Sequence, residues 1–220
     1  NVRKHVDEGN EVLKEVNKAS RGILSVADVS TEEGRNKLFN DTRKNFGEPD
    51  ILVNNAGLGI LEPFESIQEN HMQAMFNANL FSTIWMSKEF ASISKHGVII
   101  NIASLAGISP FRGLSVYGMT KAAIISLTKS MALELAYKGI RVNAVAPGVV
   151  KTKMGESLLQ AIKMDEEIFA KKYTLTGKLI EPEEVADAVL SLVSIESMTG
   201  QVITMDSGVE QMVVDFQQKY

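Results

Sequence analysis

The feature that most constrains this chain is a set of short, nearly unbroken apolar runs. They are Ile23-Leu24-Ser25-Val26, Ile51-Leu52-Val53, Val98-Ile99-Ile100-Asn101-Ile102, Arg141-Val142-Asn143-Ala144-Val145 and Val202-Ile203-Thr204-Met205. Runs that are β-branched and continuous rather than alternating suit strands covered on both faces. Longer segments with helical spacing lie between them. Val6, Leu13 and Val16 share one stripe, and Ala122, Ile125, Ser126, Lys129, Ala132 and Leu133 run through another. Strands alternating with helices of this length predict right-handed βαβ units, hence an α/β fold with a doubly wound, Rossmann-like parallel sheet. Helix starts are legible as well. Thr31 before Glu32-Glu33 reads as an N-cap, Ser66 with Glu69 as a capping box, and Pro182 with Glu183-Glu184 as a first turn. No repeat or linker divides the 220 residues, which predicts a single domain over 1–220.

Composition narrows the chemistry. The absence of cysteine excludes disulfides and thiolate sites, and His5, His71 and His96 stand too far apart for a helical metal pair. With 23 basic against 27 acidic residues, the net charge of -4 gives no reason to expect nucleic acid or an anionic membrane as partner. No apolar run reaches the ~20 residues of a membrane span, and no signal core follows Asn1, so the cytoplasm is the expected location.

In an open parallel sheet the ligand crevice lies beyond the carboxyl ends of the strands. Here those ends read Ala27-Asp28-Val29, Asn54-Asn55-Ala56-Gly57, Ala103-Ser104 and Ala146-Pro147-Gly148, all small or polar. Tyr117 and Lys121 are one helical turn apart, so both emerge on one face. A lysine ammonium beside a phenol favours the phenolate and lowers a pKa that is otherwise near ~10. Ser104, just past a strand end, could hydrogen-bond a substrate carbonyl or alcohol oxygen while the tyrosine exchanges the proton. Alone, a Tyr-x-x-x-Lys spacing also fits a tyrosine in a helix interface beside a solvated lysine.

The wider context resembles the short-chain dehydrogenases/reductases over nearly the whole chain. Asn54-Asn55-Ala56-Gly57 is similar to the family's Asn-Asn-Ala-Gly segment, and Asn79 matches the helix asparagine that holds a water in its proton relay. Ser104, Tyr117 thirteen residues on, and Lys121 match its active-site serine, tyrosine and lysine in type and spacing. Pro147-Gly148, followed by Val150 and Thr152, is similar to the stretch that contacts the nicotinamide, and Gly200-Gln201-Val202 with Asp206-Ser207-Gly208 resembles the closing strand.

The resemblance implies an NAD(P)-dependent oxidoreductase that moves a hydride between a nicotinamide and a carbonyl or alcohol. Tyr117 would be the general acid/base. Ser104 would orient the substrate oxygen, Lys121 would bind the nicotinamide ribose and depress the tyrosine pKa, and Asn79 would link the relay to solvent. Asn55, Ala56, Gly57, Pro147, Gly148, Val150 and Thr152 would line the cofactor, and Asp28 with the Val29 backbone would meet the adenine. Arg3 and Lys4 fall where the family's second strand ends, and bases there would accept the extra phosphate, which favours NADP(H) over NAD(H). The layout is most similar to the 3-oxoacyl-(acyl-carrier-protein) reductases, making a 3-oxoacyl thioester the first expected substrate and a sugar or secondary alcohol the second. A catalytically inactive binding subunit is the alternative of another class. The family also implies a homodimer or homotetramer and a substrate lid over 153–179.

Departures from the pattern are few. The family opens with a strand and a Thr-Gly-x-x-x-Gly-x-Gly turn that cradles the pyrophosphate. That unit is not in this sequence and is expected in the natural protein. Ser207 stands where glycine is common, and the tail from Val209 to Tyr220, with Met212, Val213, Val214 and Phe216, is expected to pack on a neighbouring subunit or on its own domain.

Overall fold

The structure, a computed structural model, describes residues 1–210. Its central sheet has four parallel strands, β1 (Ile51–Asn54), β2 (Gly97–Ile102), β3 (Ile140–Pro147) and β4 (Val202–Met205), in the order β1-β2-β3-β4. Asn54 pairs with Asn101, Ile100 with Asn143 and Ala144 with Val202, so all four carboxyl ends lie at one edge. The helices are α1 (Val6–Ala19), α2 (Glu32–Phe46), α3 (Glu69–Met75), α4 (Ser82–Ile93), α5 (Ser115–Leu135), α6 (Lys153–Ala161), α7 (Glu166–Tyr173) and α8 (Pro182–Ser194).

Successive residues of a strand point to opposite faces, and the core divides accordingly. Leu52, Ile99 and Val142 pack with Phe39 of α2, Met86 and Phe90 of α4 and Ala132 of α5. Val98, Ile100 and Val145 face the other way, against Leu192 and its neighbours on α8. Helices on both faces make the sheet doubly wound, as the continuous apolarity of β2 and β3 predicts. A row of buried and half-buried polar side chains ties the first face together. Asn54 Nδ2 donates to Ser87 Oγ at 3.0 Å and to Asn101 Oδ1 at 2.9 Å, and Asn101 Nδ2 donates to Thr128 Oγ1 at 2.9 Å.

Several local expectations need correction. The Ile23–Val26 run forms no ladder strand; Val26 makes one isolated parallel bridge to Val2. β1 is not covered on both faces, because Ile51 and Val53 are 48% and 42% exposed at the sheet edge. The α1 stripe is only partly covered, with Val6 and Val16 exposed. Ser66 does not cap α3. It closes a 3₁₀ turn (Phe64–Ser66), and the helix starts three residues later behind Gln68, since backbone bonding there carries the chain through a separate turn first. Thr31 does cap α2, accepting from the Gly34 N–H at 3.1 Å. Pro182 begins α8, where the Glu181 N–H donates to the Glu184 carboxylate at 2.8 Å. The expectation for Met212, Val213, Val214 and Phe216 lies outside the described residues.

Candidate active site

The site assembles around the first two turns of α5. Ser104, in extended conformation at the end of β2, accepts the Ala106 N–H at 3.1 Å and so starts a 3₁₀ turn (Leu105–Gly107). That turn lies hard against α5. A Cβ on Gly107 would stand 2.6 Å from the Lys121 carbonyl carbon, and one on Gly118 would stand 2.7 Å from the Ala106 carbonyl oxygen. Only two bare Cα atoms permit this approach, which brings the Ser104 hydroxyl near enough to the Tyr117 phenol to act on its pKa. The hydroxyl itself accepts the Ala106 N–H and donates to the Pro147 carbonyl at 3.5 Å.

Lys121 is buried, 4% exposed, with its ammonium donating to the Ile102 carbonyl at 2.7 Å and lying 5.7 Å from the Tyr117 ring centre. Burial pulls its pKa from 10.5 down to about 8. Tyr117 departs from the expected direction. Burial raises its pKa above the ordinary 10.0, and the Ser104 hydrogen bond only partly offsets this. The lysine does not depress the phenol here, because its own charge is penalised by burial and its donor is committed to the Ile102 carbonyl.

Asn79 sits in a wide π turn (Phe76–Phe81) between α3 and α4, a distortion that often marks functional positions. It is completely buried, and its side chain is fully engaged. Oδ1 accepts the Leu58 N–H at 2.7 Å, while Nδ2 donates to the Leu58 carbonyl and to Thr120 Oγ1, both at 2.9 Å. Thr120 in turn donates to the Tyr117 carbonyl at 2.7 Å. Asn79 therefore holds the loop after β1 and, through Thr120, the first turn of α5. Gly57 lies between these groups. A Cβ there would be 3.4 Å from Asn79 Oδ1 and 3.6 Å from Lys121 Nζ, so the glycine leaves the approach to the lysine clear, beside the exposed Asn55 and Ala56.

The other expected residues form two groups. At the ends of the Val2 and Val26 bridge, Arg3 lies 3.7 Å from the Asp28 carboxylate. Burial would raise the Asp28 pKa, but two hydrogen bonds from Ser30 and the nearby Arg3 and Lys4 outweigh it and hold the group below its ordinary value. The Val29 carbonyl is taken by Arg35 at 3.1 Å, and its side chain packs into the core. After β3, the Gly148 N–H donates to the Met205 carbonyl at 2.7 Å, Val150 bridges to Ile180, and Thr152 caps α6 by accepting from Gly155 at 3.3 Å. The 153–179 region has its own small core of Leu159, Phe169, Ala170 and Leu179.

Sequence reasoning missed Thr120, Gly107 and the substrate-side pair Gly59 and Met154. A Cβ on Gly59 would stand 3.6 Å from the Tyr117 ring and 3.9 Å from the Met154 sulfur. Gly118, a glycine inside a helix between Tyr117 and Lys121, is the one signal of close packing the sequence offered.

A phenol and a hydroxyl gathered near a buried amine, at the carboxyl ends of a parallel sheet, fit carbonyl/alcohol oxidoreduction. Comparison with known proteins agrees. Residues 3–210 match the family model described as Enoyl-(Acyl carrier protein) reductase. Diacetyl reductase [(S)-acetoin forming] of Staphylococcus epidermidis is 34% identical over 90% of this chain and 88% of its own length. L-2,3-butanediol dehydrogenase of Corynebacterium glutamicum is 33% identical over 92% of this chain and 84% of its own. Among solved structures, ElxO with NADP bound superposes with a TM-score of 0.78 at 30% identity, covering 93% of this chain and 85% of that one. The chain belongs to the short-chain dehydrogenase/reductase family and is an NAD(P)-dependent oxidoreductase.

Proposed function

We propose that this protein reduces a small ketone to a secondary alcohol with NADPH, Tyr117 delivering the proton. The observation that carries this is the gathering of Tyr117, Ser104 and buried Lys121 at the carboxyl ends of the sheet, with Lys121 Nζ 5.7 Å from the Tyr117 ring centre and the Ser104 hydroxyl acting on the Tyr117 pKa. A nicotinamide cofactor, when bound, supplies the hydride to the carbonyl carbon. Ser104 holds the carbonyl oxygen, and the Tyr117 phenol, kept protonated by burial, donates its proton to that oxygen as the alcohol forms. The ammonium of Lys121 faces the nucleotide ribose past Gly57, and Asn79 keeps this wall in place through Leu58 and Thr120. Asn55, Ala56, Pro147, Gly148, Val150 and Thr152 line the remaining cofactor cleft. Asp28 and the Val29 backbone take the adenine end, and Arg3 and Lys4 take a 2′-phosphate.

The NADP preference rests on those two bases and on the NADP-bound ElxO structure. The small-ketone reading draws on relatives named for diacetyl and butanediol and on the apolar approach at Gly59 and Met154. It places the 3-oxoacyl thioester second. Residues 153–179 act as the lid, within a single domain. The exposed Phe81 and Trp85 before and on α4, with Met119 and Leu133 of α5 and Tyr137 in the turn after it, support a homo-oligomer.

The experiment compares steady-state rates on diacetyl and on an acetoacetyl thioester, with NADPH and with NADH. Diacetyl with NADPH should be fastest, and Tyr117→Phe should lose about a thousandfold or more in kcat while still binding nucleotide. A variant that keeps most of its activity would remove Tyr117 from its role, and faster thioester turnover would reverse the substrate order.

A further inference from the structure

The loop between Gly57 and Pro63 forms one wall beside the Tyr117 ring, and its two ends are held differently. At the first end the Asn79 side chain grips both backbone groups of Leu58. At the other, Glu62 is tied twice. Its N–H donates to the Gly113 carbonyl at 2.9 Å, and its carboxylate Oε1 lies 2.7 Å from His71 Nδ1 of α3. Gly113 has a φ of +80°, and a Cβ there would stand 2.9 Å from Leu61, so the loop is seated on the segment that leads into α5.

The Glu62 side chain is only 14% exposed. Its Oε2 is the one buried side-chain oxygen or nitrogen without a hydrogen-bond partner among the described residues. A largely buried carboxylate satisfied on one oxygen alone is a costly way to hold a loop, since replacing both members of such a pair by well-packed apolar residues is often neutral or stabilising. What the pair provides instead is a directional, fixed-length tie between the loop and α3, beside the backbone bond that seats Glu62 on Gly113, two residues before Ser115. Gly59, whose Cβ position is 3.6 Å from the Tyr117 ring, lies between the two anchors. A loosened Glu62 end therefore changes the space in which a ketone meets the phenol.

We propose that Glu62 and His71 form a positioning clamp that sets the substrate-side wall of the active site. The clamp rests on the assignment of Tyr117 as proton donor. It acts on ketone binding and leaves the nucleotide side untouched, because Asn55, Ala56 and Lys121 lie beyond the Asn79 anchor.

The test uses the full protein with Glu62→Ala, His71→Ala and the double variant. KM for the ketone should rise about tenfold in each single variant and no further in the double, since both delete one tie. Nucleotide affinity, read by NADPH fluorescence, should change by less than about twofold, and Glu62→Gln, which keeps the hydrogen bond, should restore most of the KM. Unchanged KM, additive effects, or KM and nucleotide affinity moving together would overturn the clamp. If an alanine variant fails to fold, Glu62→Met and His71→Leu, which remove the polar tie and keep the bulk, read the same KM-against-affinity split. Inactive Tyr117→Phe with unaltered KM in the clamp variants sinks the clamp alone, whereas active Tyr117→Phe sinks the functional reading beneath it.

Discussion

Lys121 shows what burial does to a single charge. At 4% exposure its ammonium keeps one strong acceptor, the Ile102 carbonyl, and its pKa falls from 10.5 to about 8. Between those values the unfolded chain holds a proton that the native chain has released, so the stability of the cofactor-free protein rises with pH across that window. Below about pH 8 the penalty is present in full, and its total is up to roughly 3 kcal/mol. Lys121→Met should flatten the rise, as seen in urea midpoints measured between about pH 7 and about pH 10; parallel curves for the two proteins would contradict it. Tyr117 lies on the other side of the same effect, because burial favours its neutral, proton-bearing form. Side-chain identity and spacing along the chain named both residues. Their titration directions followed from what surrounds them, and the lowered tyrosine pKa expected from proximity alone is not found.

Among the elements, the closest meeting is between the turn after Ser104 and helix α5. Gly107 and Gly118 each bring backbone to within a distance that no Cβ could share. Alanine at either position must push turn and helix apart, and an overpacked contact of this kind costs about 1–3 kcal/mol. The larger consequence is geometric, because the displaced turn carries Ser104 away from Tyr117. Gly107→Ala and Gly118→Ala are each expected to lower kcat about tenfold or more, with urea unfolding separating loss of activity from loss of fold. Helices α1 and α5 were legible from periodicity, and two further starts, at Thr31 and Pro182, from capping chemistry. The Ser66 start was not. A capping-box pattern describes side chains that could bond, and here the intervening 3₁₀ turn placed them elsewhere.

For the whole molecule, the parallel sheet sorts its helices by face and leaves α4, α5 and the turn after α5 with outward apolar residues. Leu133 and Tyr137 are each 82% exposed, and Trp85 is 45% exposed. Under the proposed homo-oligomer these become contacts between subunits. Leu133→Glu combined with Trp85→Glu should shift sedimentation toward a smaller species; wild type already sedimenting as a monomer would refute that arrangement. The sequence by itself determined the parallel α/β architecture, because strand continuity and helical period are local properties, and its resemblance to a family pointed to Ser104, Tyr117 and Lys121. Only the tertiary structure decided the rest: that Asn79 holds the loop through Leu58 and α5 through Thr120, that burial reverses the expected tyrosine shift, and that Glu62 and His71 meet. Each of these depends on distance and dielectric between segments far apart along the chain, quantities that exist only once the chain has packed.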